Sequence, residues 1–386
     1  MNFRSSIAVL GRIVSVAALA FAAHAQAQKE PIKIGAFLSV TGPAAFLGDP
    51  EQKTLELYVE KINAGGGVLG RRIKLISYDS AGSAEKARTF VKRLIDEDKV
   101  DAIVGGSTTG ETMAVIPLVE QAEVPFISLA GAVVIVEPVK KWVFKTPATD
   151  RMACEKIFQD MNARKISKIG LISGSGAFDK SMRAQCMAVA PKYGIEIVGD
   201  ETYGAQDTDM TAQLTKLRQN AQIQAVLNCG FGAGPAIVTK NFRQIGMSVP
   251  LYQSHGVASK EFIKLAGDAA NGVRLPAAAL LVANTLPAND PQKHVVLSYT
   301  HEYEARYHQD VSTFGGHAYD AIMLVAQAIT DARAAESAAI RDALEKVKGF
   351  WGTAGEFNFS ASDHAGLTED AFVIVRVTNG DWQMLK

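Results

Sequence analysis

The feature that most constrains this chain is a regular alternation of short apolar strand patterns with amphipathic helix patterns. A strand pattern over 31–38 is followed by a helical pattern over 50–63 and by a second strand pattern over 72–78. The same order recurs as far as about residue 146, and a second series runs over about 150–272. Strands that alternate with helices pair in parallel through right-handed crossovers, so we predict α/β sheets with helices on both faces.

The length of the chain and its last third bear on the domain organisation. With 386 residues the chain exceeds one ordinary hydrophobic core, and the two series predict two doubly wound lobes. Beyond them lie helical patterns at 292–308, 316–334 and 337–347, and strand patterns at 356–359 and 372–377. Because this tail fits neither series alone, we expect the chain to cross between the lobes more than once.

Residues 1–27 have the pattern of a bacterial secretory signal peptide. The basic residues Arg4 and Arg12 precede an apolar run over 13–23, and the sequence AQA at 25–27 is a small-x-small cleavage signature. The apolar run is shorter than the roughly 20 residues that span a bilayer. No cysteine follows it to carry a lipid. We therefore predict cleavage after this signature and a soluble periplasmic protein without a membrane anchor.

The charge balance limits the partners of the chain. The whole sequence has 40 Lys and Arg against 40 Asp and Glu, and removing Arg4 and Arg12 with the signal peptide leaves 38 against 40, a formal charge of −2. Nucleic-acid binders and proteins steered to anionic membranes usually carry a basic excess. We therefore predict neither a nucleic acid nor a membrane surface as partner.

The three cysteines, Cys154, Cys186 and Cys229, are odd in number and have no CxxC spacing. This pattern indicates neither a disulfide framework nor a zinc ribbon. A single bridge between Cys154 and Cys186 remains one alternative. Buried free thiols are the interpretation that the sequence favours.

Motifs of catalysis and cofactor binding are incomplete. Pro235 stands where the third glycine of a dinucleotide-binding loop is required, and Thr109 stands where a hydrolase elbow centred on Ser107 needs its second glycine. No phosphate-binding GxxxxGK[ST] loop is present. The sequence thus predicts no catalytic residues, no cofactor and no metal site. A Ser254–His255 pair is the only local candidate for an enzyme on this architecture.

The loop 105–111 (GGSTTGE) is the strongest candidate for ligand contact in the first series. Ligands of open α/β sheets bind at the carboxyl ends of strands, and this loop follows the strand pattern over 102–104. Ser107, Thr108 and Thr109 supply three consecutive hydroxyls, and Thr108 forms the first member of a TxxE capping box. The helix that begins there has free N–H groups that favour an anion. An ordinary helix cap is the alternative interpretation.

Other strand ends supply the remaining candidate ligand residues. The loop 128–132 offers small residues whose N–H groups could meet a carboxylate, and three loops of the second series place two aromatic rings and one imidazole opposite the first series. Each of these residues alone is more often a packing residue. The candidates are Ser128, Ala130, Gly131, Ala132, Phe178, Phe231 and His255.

An ordered series of segments resembles one known family. After the signal peptide come PIKIGAFLSVTGPAAFLGDP, INAGGGVLGRRIKLISYDS, VDAIVGGSTTG and VPFISLAGA. They resemble the branched-chain amino-acid (Leu/Ile/Val) type of periplasmic substrate-binding protein of ABC transporters, over essentially the whole mature chain. The resemblance implies a non-enzymatic monomer whose two lobes are joined by a three-crossing hinge and close on a small ligand. A membrane permease is the implied partner.

The resemblance also implies lobe boundaries and a carboxylate site. Lobe 1 is expected over 28–148 and 276–364, and lobe 2 over 149–275 and 365–386. In amino-acid-binding members, the loop that matches Ser107 to Thr109 and the turn that matches Ala130 to Ala132 hold the ligand carboxylate.

At several matching positions this sequence departs from the family pattern. The family's threonine is absent at Ala132, and a tyrosine is replaced near Leu47, with Phe46 beside it. A second-lobe tyrosine falls at Phe178. The acidic residue that meets the ligand ammonium falls at or near His255. Asp150 keeps an acidic position near the hinge.

These departures predict a ligand without an ammonium group. Burying an ammonium without a carboxylate partner costs several kcal/mol, whereas Phe46, Phe178 and Phe231 offer faces for ring stacking. His255 could donate to a carboxylate, keto or hydroxyl oxygen. We therefore expect an aromatic or aryl-keto carboxylate. The alternatives are a plain amino-acid-binding protein and a ligand sensor that feeds a signalling receptor.

Overall fold

The structure is a computed structural model that describes residues 30–385. The predicted signal peptide at 1–27 lies outside the described residues. Within 30–385, no helix is both long enough and apolar enough to cross a membrane.

Five parallel strands form the first sheet, in the order β2-β1-β3-β4-β5. Nearly every side chain of β1 is buried, as expected for a parallel strand covered by helices on both faces. The strands are β1 (Ile32–Leu38), β2 (Ile73–Asp79), β3 (Ala102–Gly105), β4 (Phe126–Ser128) and β5 (Val143–Lys145). The helices between them are α1 (Ala45–Ala64), α2 (Ala84–Arg93) and α3 (Thr109–Ala122), and a π-helical turn (Leu94–Asp98) extends α2.

Seven strands form the second sheet, in the order β14-β13-β10-β9-β8-β6-β7. Five of them run parallel, and β13 pairs antiparallel with both β10 and β14 to form a mixed edge. The strands are β6 (Lys168–Ser173), β7 (Glu196–Thr202), β8 (Ala225–Cys229), β9 (Leu251–Gln253), β10 (Arg274–Ala277), β13 (Val373–Thr378) and β14 (Asp381–Met384). The helices are α4 (Asp150–Ala163), α5 (Ala177–Val189), α6 (Thr211–Gln219), α7 (Gly234–Gln244) and α8 (Lys260–Ala266).

The segment between β10 and β13 returns to the first sheet. It contains α9 (Lys293–Tyr307), α10 (Thr313–Ala332), α11 (Ser337–Leu344) and a hairpin of β11 (Phe350–Trp351) and β12 (Glu356–Phe357). Helix α10 packs against α1 and β3. Short 3₁₀ turns complete the chain at Val133–Ile135, Ala190–Tyr193, His255–Val257, Gly267–Ala270, Ala279–Thr285 and Glu369–Ala371.

The chain therefore passes between the two sheets three times: after β5, after β10 and before β13. Ala148, Ala278 and Phe372, one from each passage, line a small cavity that we call the hinge cavity. The α/β class with two doubly wound lobes is confirmed. The expected boundary between 275 and 276 falls inside β10, so the second passage begins after Ala277.

Helix α10 begins three residues earlier than its sequence pattern predicts. The pattern places the start at residue 316. In the structure the Ser312 hydroxyl caps the helix, and both glycines lie inside it. A Cβ on Gly315 would stand 2.4 Å from the Tyr299 hydroxyl, and one on Gly316 would stand 2.6 Å from the Thr353 hydroxyl. Close packing, not helix termination, explains the glycine pair.

Cys154 in α4 and Cys186 in α5 form a disulfide, with their Cα atoms 5.1 Å apart. The interpretation of these two residues as free thiols is therefore wrong. Packing of α4 against α5 brings the cysteines together across 32 residues of sequence, a contact that spacing alone does not show. Cys229 is a buried free thiol, as the sequence favours.

Removing this disulfide is expected to lower the free energy of unfolding by about 3 kcal/mol, because the bridge closes a long loop in the unfolded chain. Urea denaturation of a Cys154→Ala/Cys186→Ala double variant measures the loss. A Cys229→Ala variant, which keeps the bridge, is the control and should lose clearly less. Equal midpoints for the wild type and the double variant would contradict the prediction.

Candidate ligand-binding site

A cavity of about 420 Å³, part of it open to solvent, lies between the lobes at the carboxyl ends of the strands. Both lobes contribute to its wall, as the position of the loops in an open α/β sheet requires. The lining residues are Leu47, Ser107, Thr108, Thr109, Leu129, Gly131, Pro147, Phe178, Phe231, His255, Gly256, Phe314 and His317.

The start of α3 forms the first-lobe wall. Thr108 and Glu111 form the predicted capping box, in which the Glu111 N–H donates to Thr108 Oγ1 at 3.2 Å and the Thr108 N–H donates to the Glu111 carboxylate at 3.1 Å. The next two N–H groups, of Thr109 and Gly110, have no intrahelical acceptor because they lie in the first turn. Thr109 Oγ1 is buried without a hydrogen-bond partner in the described chain. This wall thus offers donors to an anion.

Ser107 does not have the free hydroxyl that the sequence predicts. Its Oγ accepts a hydrogen bond from the Ser39 N–H at 2.9 Å and donates to the Glu51 carboxyl group. Burial raises the pKa of Glu51 well above its ordinary value. Ser107 Oγ thus has both of its partners inside lobe 1, whereas Thr109 has the unpartnered hydroxyl at this wall.

The second lobe supplies an aromatic wall. Phe178 meets Phe231 edge to face, with ring centroids 6.0 Å apart, and meets His255 in the same manner at 5.2 Å. From lobe 1, Phe314 at the start of α10 reaches the same cavity. Rings in this arrangement present both faces and edges to a bound aromatic group.

His255 is buried in the second-lobe wall, and neither of its ring nitrogens has a hydrogen-bond partner within 30–385. Burial, with a smaller contribution from the nearby positive Lys145, lowers the pKa of His255 to about 3. The imidazole is therefore neutral at physiological pH. A neutral imidazole with two free nitrogens can donate one hydrogen bond and accept another.

His317 and Lys145 lie beside His255, and we call these three residues the basic cluster. Burial also lowers the pKa of His317 to about 3, with smaller effects of Lys145 and His255, and His317 Nδ1 has no partner in the described structure. Lys145 is fully buried at the end of β5, where its Nζ donates to Pro147 O at 2.5 Å and to Gly131 O at 3.3 Å. Burial lowers the pKa of Lys145 to about 7.

No aspartate or glutamate of the described residues lines this cavity. The nearby Asp150 is turned away from it, since its carboxylate accepts the N–H groups of Val133 and Arg151 at 2.9 Å and the Ser181 hydroxyl at 2.5 Å. The wall therefore consists of aromatic rings, neutral imidazoles and hydroxyl groups, with no carboxylate to pair with a cation.

A wider outer chamber of about 1330 Å³ joins the cavity to solvent. Thr108, Thr109, Phe178 and Phe231 line both spaces, so they form the passage between them. Asp179 lines the outer chamber only, and burial raises its pKa to about 6.

A family model described as periplasmic binding protein matches residues 31–381. The chain belongs to this family. The resemblance to the branched-chain amino-acid type of ABC-transporter binding protein is confirmed. Members of this family are substrate-binding proteins of the periplasm, which bind small molecules and work with ABC-transporter permeases.

Two curated relatives show how far the sequence likeness extends. The chain is 25% identical over 341 residues to a leucine-, isoleucine-, valine-, threonine- and alanine-binding protein of Pseudomonas aeruginosa, covering 87% of each chain. It is 26% identical over 271 residues to the Leu/Ile/Val-binding protein homolog 3 of Brucella melitensis, covering 69% of this chain and 72% of the relative.

Solved structures share the fold over nearly their whole length. An extracellular ligand-binding receptor from Rhodopseudomonas palustris HaA2 superposes with a TM-score of 0.85 at 29% identity, covering 92% of this chain and 99% of the receptor. A branched-chain amino acid transporter substrate binding protein from Streptococcus pneumoniae, in complex with isoleucine, superposes with a TM-score of 0.81 at 26% identity over 92% and 99%.

Most of the site residues expected from this periplasmic binding protein's sequence line the cavity. They are Leu47, Ser107, Thr108, Thr109, Gly131, Phe178, Phe231 and His255.

Phe46, Ser128, Ala130, Ala132 and Asp150 do not line the cavity. Phe46 faces a neighbouring surface pocket and packs against Phe231, with ring centroids 6.3 Å apart. Ser128 lies behind the wall, where its Oγ accepts the Ala130 N–H at 3.2 Å. Ala130 and Ala132 are buried beside Gly131. Asp150 holds the loop that contains Gly131, since the Asp150 N–H donates to Gly131 O at 3.0 Å.

Sequence reasoning missed several lining residues, together with the buried Lys145. Phe314 escaped notice because the predicted helix began after it, and His317 because it lay inside that predicted helix and not in a loop at a strand end. Lys145 carries a usable signal, since a charged residue at the carboxyl end of a parallel strand lies at the ligand edge of the sheet. The lining residues missed are Leu129, Pro147, Gly256, Phe314 and His317.

The Ser254–His255 pair of the enzyme alternative is not assembled. Ser254 Oγ donates to Gly230 O and accepts the Gly256 N–H at 3.1 Å, and it makes no bond to His255. Within 30–385, no group of three or more His, Cys, Asp or Glu side chains could hold a metal ion.

Replacing Gly131 with alanine is expected to weaken ligand binding about tenfold or more while leaving unfolding of the ligand-free protein nearly unchanged. The added Cβ would stand 2.7 Å from His255 Nε2 and 3.1 Å from Phe178 Cε2, both in the opposite lobe, so it obstructs closure. Gly65→Ala, at the exposed end of α1, is the matched control, because its Cβ would come no closer than 3.5 Å to Ile62 O. Calorimetric titration and thermal unfolding measure the two effects, and unchanged affinity in Gly131→Ala would refute the obstruction.

Proposed function

We propose that this periplasmic binding protein delivers a small organic acid, an aromatic or aryl-keto carboxylate, to the permease of an ABC importer. The observation that carries the proposal is the composition of the cavity wall. Aromatic rings and two imidazoles with unpartnered nitrogens face the cavity, and no acidic residue of the described chain does.

The carboxylate is proposed to bind at the start of α3. The N–H groups of Thr109 and Gly110, the Thr109 hydroxyl and the positive end of the helix dipole all favour an anion there. Ser107 supports this wall through its bonds to Ser39 and Glu51 inside lobe 1.

Closure of lobe 2 then brings Phe178, Phe231 and His255 over the ring of the ligand. Closure is favoured only as far as the ligand binds the closed form better than the open one. Stacking contributes roughly 0.5–1.5 kcal/mol per aromatic pair beyond area burial. The unpartnered ring nitrogens of His255 support a role for it as donor to a keto or hydroxyl oxygen of the ligand.

An amino-acid ligand is the second candidate, because relatives are named for leucine, isoleucine and valine binding. Such a ligand has an ammonium group, and the cavity offers it no carboxylate partner. An unpaired buried cation costs several kcal/mol. The composition of the cavity wall therefore favours the aromatic acid.

A thermal-shift panel tests the proposal. Benzoate, 4-hydroxybenzoate and phenylpyruvate are compared with leucine, isoleucine and valine. At 100 times its dissociation constant a ligand stabilises the folded state by about 2.7 kcal/mol, which raises the unfolding temperature measurably. Mass spectrometry of small molecules carried through purification identifies the natural ligand. Stabilisation by the amino acids alone would overturn the proposed ligand class.

The lobe boundaries, the oligomeric state and the export of the chain are also part of the proposal. We propose lobe 1 over 28–148 and 276–364 and lobe 2 over 149–275 and 365–386, with the second boundary moved to the end of β10 at Ala277, and a monomer exported by cleavage of 1–27. Ligand-dependent binding to a signalling receptor, instead of a permease, would favour the sensor alternative.

A further inference from the structure

We infer that the basic cluster of Lys145, His255 and His317 takes up a proton when the cavity binds a carboxylate, so that affinity rises as the pH falls. The inference rests on the proposed function, because it needs an anionic ligand. It adds His317 and Lys145 to the residues that recognise that ligand.

The position of the two histidines supports the inference. His255 and His317 line both the ligand cavity and the hinge cavity, so they stand between the ligand and the three chain passages. Both nitrogens of His255 and Nδ1 of His317 have no hydrogen-bond partner within 30–385. A proton can therefore be added to either ring without breaking an existing bond.

Lys145 lies directly behind the cavity wall. Its Nζ donates to the carbonyl groups of Gly131 and Pro147, and both of these residues line the cavity. It forms no ion pair within 4.0 Å in the described chain. The ammonium is thus held next to the ligand by neutral groups, and burial keeps its pKa at about 7.

The acidic groups that face Lys145 are Asp150 at the start of α4 and Asp363 in the loop before β13, and both favour its charged form. The positive charge of Lys145 disfavours the protonated forms of the neighbouring His255 and His317.

On the helix that carries His317, the carboxylate of Asp320 accepts the N–H groups of Thr353 and Ala354. No acidic side chain contributes appreciably to the pKa shift of either histidine of the cluster. A ligand carboxylate at the start of α3 lies in the same cavity as the two histidines, and it would add a negative charge there beyond those of Asp150 and Asp363.

The sign and size of the effect follow from linkage. An anion in the cavity favours the protonated forms of Lys145, His255 and His317, so the complex binds more protons than the free protein. Lys145 is about half protonated near pH 7 in the free protein, so binding takes up about half a proton there. Around pH 7 the dissociation constant then falls about threefold per pH unit on acidification, and the dependence levels off below the pKa of free Lys145 and above the pKa that the cluster has in the complex.

Calorimetric titration of the mature protein at pH 7 in buffers of different ionisation enthalpy counts the protons without any variant. Phenylpyruvate is the carboxylate probe and leucine is the zwitterionic one. We expect an uptake of about half a proton for phenylpyruvate. Phenylpyruvate binding without proton uptake would overturn the inference and leave the proposed function standing. Leucine binding alone would overturn the proposed ligand class, and its own proton count would then support or refute the inference.

Matched variants locate the proton. Lys145→Met should remove most of the uptake, and Lys140→Met should keep it, because Lys140 Nζ also donates to two backbone carbonyls, those of Val134 and Pro138, but lies outside the cavity. His317→Gln gives a second measurement should Lys145→Met fail to fold. Wild-type uptake in both cluster variants would overturn the assignment.

Discussion

Replacing His255 with glutamate is expected to weaken the binding of an aromatic carboxylate by about 100-fold or more. The new carboxylate would lie in a buried wall beside the ligand anion, where two like charges about 5 Å apart repel by roughly 3 kcal/mol at an effective dielectric constant of about 20. The change also removes the donor that His255 offers. Calorimetric titration with phenylpyruvate measures the loss.

His255→Glu also tests whether the absence of an acidic residue at this position disfavours an amino-acid ligand. A glutamate at this position supplies the carboxylate that an amino-acid ammonium needs, so leucine binding should improve relative to the wild type. His294→Glu is the matched control, since His294 is exposed on α9, away from the cavity, and should bind as the wild type does. Unchanged phenylpyruvate affinity in His255→Glu would mean that the ligand does not lie beside His255.

Replacing Asp320 with alanine is expected to lower the free energy of unfolding by about 3–5 kcal/mol. Asp320 is fully buried in α10, and its carboxylate accepts the Thr353 N–H at 2.5 Å, the Thr353 hydroxyl at 3.1 Å and the Ala354 N–H at 2.9 Å. Alanine would leave these buried donors without a partner and would leave a small cavity. Urea denaturation measures the change.

An asparagine at this position separates the hydrogen bonds from the charge. Asp320→Asn keeps one acceptor oxygen and the side-chain volume, so it should retain more of the stability than Asp320→Ala does. Equal losses for the two variants would contradict this account of Asp320.

The carboxyl group of Asp320 also contributes to the pH dependence of stability. Burial raises the pKa of Asp320 to about 7, although its hydrogen bonds oppose the shift. Because the folded state then binds the proton more tightly than the unfolded state, this contribution is full below about pH 4 and is lost as the pH rises toward 7. Asp320→Asn removes it, so the difference in stability between wild type and variant should change across this pH range.

The capping box at Thr108 shows what local sequence predicts well. A TxxE pattern after a short buried strand needs only neighbouring residues to form, and the structure contains both of its hydrogen bonds. The second-lobe rings Phe178 and Phe231 were placed by an equally local rule, because residues that follow parallel strands lie at one edge of the sheet.

Ser107 shows where local reasoning fails. Its hydroxyl follows a strand and precedes a helix, as a ligand-binding residue would, yet Glu51 from α1 accepts its proton. The partner lies 56 residues away in the sequence, and no pattern in the loop itself indicates it. The disulfide between Cys154 and Cys186 is a similar case, because only the packing of α4 against α5 brings the two thiols together.

The alternation of strand and helix patterns by itself determined the two α/β lobes and the loops that face each other across the cleft, because parallel strands present their carboxyl ends at a common edge. Only the tertiary structure decided which groups in those loops are free to meet a ligand. Lys145 and His317 come from β5 and α10, and they join His255 only where the chain passes between the sheets. Burial there, which depends on every neighbour in space, lowers the pKa values of these three residues and leaves both nitrogens of His255 and Nδ1 of His317 without partners among the described residues.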